Sequence, residues 1–236
     1  MDPIRLGLAA LLSGLLALER KAFLQAMLSR PLVTGALLGA ILGHPLEGVA
    51  IGAALELFYL GAVNMGASLP DNELFTTVAA VSCACALAGR VADLTFPATL
   101  ACAALATLPT AKLGKVTDRL SERLNGWIAS LVEGEGDERR IRTGLRHNLY
   151  GLWMPFLVAA AACVAGAFAG KLVLPLLLTL GPAGLPRGLA MAWGAFLLVA
   201  AAAAARTART GRAFVWSTLA AAATAGMHAA GLWGER

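Results

Sequence analysis

The chain has 236 residues, 58% of them hydrophobic and only 14% charged, with a formal net charge of +5. Soluble domains carry about 25% charged residues, so this composition sets aside a soluble helical bundle and fits a membrane protein crossing the bilayer several times. The surplus of Lys and Arg has no basic stripe with interleaved aromatics, so it marks cytoplasmic loops and not nucleic-acid binding.

Taken in order, Pro3–Leu18 is an apolar run with no small-residue cleavage site and is expected to be an uncleaved first span. Glu19, Arg20 and Lys21 close it, and Ala22–Ser29 leads to Arg30-Pro31, where proline suits the first turn of a new helix. Pro31–Gly43 reaches only about 20 Å at 1.5 Å per residue, short of a ~30 Å hydrocarbon core, so it is expected to be a re-entrant arm or to lean on its neighbours. Leu46–Val63 is just long enough to span, and its Gly48, Gly52 and Gly61 offer a low surface for close helix contact. Asp71, Asn72 and Glu73 open the next span, Leu74–Gly89, at the positive end of the helix dipole. Leu94–Leu108 follows, read as interrupted by Pro97.

Lys112–Leu131 changes character. Leu113, Val116, Leu120, Leu124, Trp127, Ile128 and Leu131 recur at three- and four-residue steps among charged positions. This is an amphipathic helix for the membrane surface or a partner's groove. Residues 133–146 read as a charged, glycine-broken loop, so 112–147 as a whole is a cytoplasmic connector. Leu149–Leu180 is a long apolar run containing Pro155 and Pro175; residues 181–188 read as a turn, and Leu189–Ala205 and Ala213–Trp233 as the last two spans. With 112–146 and 206–212 both basic and two spans between them, both can face the cytoplasm.

The chemistry concentrates between Arg30 and Glu73. Glu56 is one carboxylate inside an oily run, and an ionisable group at membrane depth is read as functional by default. Asn64, two turns on, falls close to the same face if the helix continues, and Asp71 follows in a turn-forming stretch. A carboxylate accepts hydrogen bonds from neighbouring hydroxyls and an amide both donates and accepts, which suits a hydroxyl-rich cargo. The plainer alternatives are a Glu56 that caps a helix or pairs with an arginine, and turn chemistry for Asn64 and Asp71.

Elsewhere the signals are weak. Cys83, Cys85, Cys102 and Cys163 sit in apolar runs without histidine at metal-ligand spacing, so they read as buried small hydrophobes. His44, His147 and His228 are isolated and carry no phosphohistidine assignment. No pattern calls for a cofactor or a metal, and no H-E-x-x-H, Ser/His/Asp or phosphate-loop motif indicates an enzyme.

The ordered set RPL (30–32), G-x-x-x-G (35–39), ILG (41–43), IGAALEL (51–57), N-x-G-A (64–67) and Pro70-Asp71 resembles the IIC subunit of the mannose/fructose/sorbose branch of the bacterial phosphoenolpyruvate-dependent sugar phosphotransferase system. The approach, ERKAFLQAMLSRP at 19–31, is similar too. That resemblance implies an all-α polytopic bundle with short re-entrant segments, of inverted-repeat elevator type, embedded in the inner membrane as one unit over 1–236, with the sugar-binding motif at 30–73. It implies Glu56, Asn64 and Asp71 as sugar contacts, a IID membrane partner, cytoplasmic IIA and IIB proteins that carry the phosphoryl group, and a homo-oligomer of IIC–IID units. By it the chain is not catalytic alone. His44-Pro45 departs from the family, which commonly has an acidic residue at that turn. The alternatives are a degenerate sensory or assembly subunit and an unrelated small-solute transporter.

Overall fold

A computed structural model describes residues 2–21, 24–60, 71–92, 94–132, 137–182, 184–207 and 215. The described residues form helices without strands: α1 (Pro3–Lys21), α2 (Pro31–Leu42), α3 (Pro45–Leu60), α4 (Glu73–Leu87), α5 (Phe96–Thr107), α6 (Thr110–Val132), α7 (Asp137–Phe168), α8 (Leu174–Leu180) and α9 (Leu185–Thr207).

The α2–α3 hairpin shows how local sequence sets the frame. Proline in the first turn starts each helix, since its missing N–H has no partner there anyway. Gly43 ends α2 at φ +84°, a conformation that costs glycine nothing. Its N–H donates to the Ala40 carbonyl at 3.2 Å, and the His44 N–H to Gly39 at 2.8 Å, the paired bonds of a Schellman stop. The two helices then approach backbone to backbone. A Cβ at Gly35 would strike the Gly48 carbonyl, one at Gly39 would lie 2.8 Å from the Gly48 Cα, and one at Gly52 2.6 Å from the Pro31 carbonyl. Glycine at i and i+4 on both helices is what permits this fit.

Helix α4 is the axis of the molecule. Leu74 and every residue from Thr76 to Leu87 are buried, and α2, α3, α5, α6 and α7 all pack on it. Thr77 returns its hydroxyl to the Glu73 carbonyl at 2.7 Å, so a polar side chain is satisfied inside an apolar shell. Gly166 and Gly170 let α7 and the turn after it press onto the carbonyls of Ala79 and Cys83. That turn, Ala169–Val173, is π-helical. Pro175 lies just beyond it and cannot donate to residue 171, and a widened turn accommodates the ring. Helix α9 covers α3 and α5, with Phe196 stacked 5.7 Å from Phe58 and 5.8 Å from Trp193.

Among the described residues three helical stretches are long and apolar enough to cross a membrane: Phe96–Trp127, Gly151–Leu180 and Leu185–Arg206. The first owes its apolarity to α5. Its α6 half carries Lys112, Lys115, Asp118, Arg119, Glu122 and Arg123 opposite exposed Leu113, Val116, Leu120 and Trp127, the pattern of a surface helix.

Three expectations change. Pro97 begins α5 instead of interrupting it, because a proline in the first turn removes no helical bond. The charged stretch expected as loop to 146 is helical from Asp137, since the run DERRIRTGLR holds mostly helix formers once Gly136 is passed. Likewise α9 starts at Leu185, inside the expected turn, with Pro186 in its first turn. The span expected at 213–233 lies outside the described residues apart from Val215.

Candidate functional site

Four separated segments converge at one end of the bundle: the last turn of α1, the loop from 24 to 30, the end of α3 and the start of α4. They enclose a cavity of about 540 Å³, within the range of small-molecule sites. Its wall is unusually polar for this molecule. Glu19 and Arg20 come from α1, Gln25, Ser29 and Arg30 from the loop, Tyr59 from α3, and Asp71 and Glu73 from the approach to α4 and its first residue.

The ionic groups are cross-linked. Arg30, the residue before α2, directs Nη1 to Glu56 Oε1 at 3.6 Å and to Glu73 Oε2 at 4.0 Å, so one guanidinium ties α3 to α4. The other Glu56 oxygen accepts the Leu32 N–H at 3.3 Å, one of the free donors in the first turn of α2. Asp71 is half-exposed and meets Lys115 of α6 at 3.9 Å. Behind it Asn72 caps α4, its Oδ1 accepting the Phe75 N–H at 3.0 Å. The same oxygen accepts from Arg20 Nη1 at 2.8 Å, and Nδ2 donates to Asp118 Oδ2 at 3.0 Å. The Tyr59 hydroxyl donates to Thr76 Oγ1 at 3.3 Å.

Of the residues singled out from sequence, Asp71 lines the cavity. Glu56 stands one side chain back, reaching it through Arg30. Asn64 lies outside the described residues. Pairing with an arginine was the plainer alternative for Glu56, and that pair is present. Its oxygens are still only a guanidinium away from the cavity. Glu19, Arg20, Arg30, Tyr59 and Glu73 were not picked out as site residues. The signal that could have found them is that each charged one stands at an end of an apolar run, where helix ends collect. His44 sits on the turn between α2 and α3, with Nδ1 3.3 Å from Glu47 Oε1. No group of three or more His, Cys, Asp or Glu side chains suited to a metal occurs among the described residues.

Chemically the cavity offers carboxylates, an amide, hydroxyls and guanidinium groups around a space the size of a small polar solute, in a molecule that leaves many large apolar side chains exposed. This is the layout of a multi-pass membrane protein with a polar cavity. The sequence profile of the family described as PTS system sorbose-specific IIC component matches residues 4–230, and the chain belongs to that family, whose members are multi-pass proteins of the bacterial inner membrane.

Two relatives agree. The sorbose-specific EIIC component of Lacticaseibacillus casei is 42% identical over 53 residues, which are 22% of this chain and 19% of that one. That of Klebsiella pneumoniae is 28% identical over 172 residues, 72% of this chain and 61% of the relative. The matched stretches thus span less than two thirds of either relative. Among solved structures, one described only as a membrane protein superposes with a TM-score of 0.65 at 19% identity, covering 93% of this chain and 85% of the other. The mannose transporter ManYZ, solved with microcin E492, superposes with a TM-score of 0.57 at 18% identity, covering 99% and 95%. At these identities the likeness is one of fold.

Proposed function

We propose that this chain is the sugar-binding and translocating IIC subunit of a mannose/fructose/sorbose-type phosphotransferase system. It works with a IID membrane subunit and cytoplasmic IIA and IIB proteins, and it performs no phosphoryl transfer itself. The supporting observation is the cavity: polar groups from α1, the 24–30 loop, α3 and the start of α4 gather in one place in a chain that is otherwise oily. Residues 30–73 form its working part within a single membrane unit over 1–236, and 112–147 connects that part to the rest on the cytoplasmic side. IIC–IID units assemble into a homo-oligomer, and the cavity changes sides by an elevator-type shift.

In this reading Glu56, Asn64 and Asp71 hold the sugar. The Arg30 pair keeps Glu56 oriented before cargo enters, and sugar hydroxyls replace the guanidinium when it does. The long 3.6 Å separation suits an exchangeable contact better than a fixed bidentate bridge.

Glu56→Gln, Asn64→Ala and Asp71→Asn, each expressed with the IID, IIA and IIB partners, should lose uptake of sorbose or mannose by at least tenfold. Each should still insert and copurify with IID. Uptake at the parental rate in all three would refute the site. Sugar binding retained in a parental complex that transports nothing would favour a sensory subunit.

A further inference from the structure

Glu19 is the most enclosed carboxylate among the described residues, with only 3% of its surface exposed. It stands in the last turn of α1 and lines the cavity, yet both its oxygens accept hydrogen bonds from the chain. Oε2 accepts the Ser29 N–H at 3.1 Å, and Oε1 the Leu28 N–H at 3.4 Å. A buried carboxylate is tolerated when hydrogen bonds replace its hydration, and backbone N–H groups do so well.

The segment it grips is under conformational strain. Leu24, Gln25 and Met27 stand at φ +66°, +46° and +62°. Three non-glycine residues in the left-handed region within four positions persist only where the surroundings hold them there. The gripped residues are also tied to α2, where the Thr34 hydroxyl donates to the Leu28 carbonyl at 3.3 Å. Just ahead of these anchors the strained backbone presents Gln25 and Met27 to the cavity, and just after them it delivers Arg30 to Glu56. Released from Glu19, the loop would relax toward ordinary backbone geometry, and both placements would change.

We infer that Glu19 is a positioning residue for cargo binding: its carboxylate sets the 24–30 loop so that Gln25 and Arg30 face the cavity. This rests on the sugar-binding reading of that cavity and adds to it a residue that acts through the loop. Gln25 then becomes a cargo-facing amide.

The test uses the whole complex in membrane vesicles. Glu19→Ala and the isosteric Glu19→Gln, which would set an amide donor against a backbone N–H, should raise the apparent KM for sorbose or mannose about tenfold. Vmax should stay within twofold, and Glu19→Asp should recover part of the loss. A second readout needs no transport. The four native cysteines are buried, so Gln25→Cys gives one accessible thiol for a water-soluble maleimide. Labelling should be slowed by sugar in the parent, and severalfold faster and no longer sugar-protected with Glu19→Ala or Glu19→Gln. Unchanged KM and unchanged labelling in both variants would overturn the inference. Faster labelling in the variants, but no protection by sugar even in the parent, would instead overturn the sugar-binding reading and with it Glu19's role in cargo binding, leaving Glu19 as a loop anchor alone.

Discussion

The α2–α3 hairpin and the 24–30 loop meet at Arg30-Pro31, and they are held by opposite means. In the hairpin four glycines bring two backbones into direct contact, so no side chain can turn to absorb a change. In the loop a strained backbone hangs from a carboxylate and a threonine hydroxyl that both grip residues 28–29, held by hydrogen bonds and not by packed backbone. Tight packing transmits displacement without dissipating it, whereas hydrogen-bonded loops adjust locally. A site that must both grip a cargo and carry it can use such a division: a stiff arm to move, and an adjustable wall to close.

The hairpin is where this comparison breaks most visibly. Gly48→Val would drive a branched side chain into the Gly35 carbonyl, with its Cβ 2.7 Å from the Gly39 Cα. Overpacking of that kind costs about 3 kcal/mol, and here backbone stands on the other side, so nothing yields cheaply. Little folded protein should survive detergent extraction, as read by monodisperse chromatography and thermal unfolding. Gly7→Ala is the control, since a Cβ there meets nothing within 4 Å. Its midpoint should match the parent within about 0.5 kcal/mol. Equal stability of the two variants would show that the helices do not touch as described.

How much of this was open to a reader of the sequence depends on distance along the chain. The hairpin was legible because its signals are local: Pro31 and Pro45 as starts, Gly43 as a stop, and glycine at four-residue steps. Pro97 and the stretch after Gly136 misled for local reasons too. A proline one turn into a run was taken for a break, and charge was taken for loop although the residues favour helix. The cavity was legible only in part. Glu56 and Asp71 drew attention as an acid in oil and an acid in a turn. Arg20 and Asn72 are 52 positions apart, and no periodicity links them, because their meeting is decided by how α1, α4 and α6 are arranged against α7. The Arg30 partner of Glu56 belongs to the same class of fact.

A smaller effect sharpens the other side of the comparison. Asn72 joins three elements by accepting from the Phe75 N–H and Arg20 and donating to Asp118. Asn72→Ala removes a helix cap, worth about 1 kcal/mol, together with its partly buried side-chain bonds, so a loss of about 1–2 kcal/mol in the thermal unfolding of the purified chain is expected. Asn72→Asp separates the roles. A carboxylate still caps α4 and still accepts from Arg20, but it can donate nothing to Asp118 and sets like charges about 3 Å apart. It should be about as destabilised as the alanine variant near neutral pH. Lowering the pH toward the carboxylate range should recover part of that loss, since one proton shared between the two acids restores the bond.

A weak link beside the cavity is Lys115–Asp71. The contact is 3.9 Å long, and the Asp71 side chain keeps 47% of its exposure, so water and salt screen it well. Lys115→Ala should shift the unfolding midpoint by no more than about 0.5 kcal/mol, less still in high salt. Its informative consequence is elsewhere. If Asp71 serves the cargo, Lys115 competes with sugar hydroxyls for the same oxygens, and removing it should leave uptake intact or lower the apparent KM slightly. A variant as damaged as Asn72→Ala would mean that α6 is fixed to the cavity through this pair. The movable wall would then extend to the amphipathic helix, and the division between stiff arm and adjustable loop would have to be redrawn around α6.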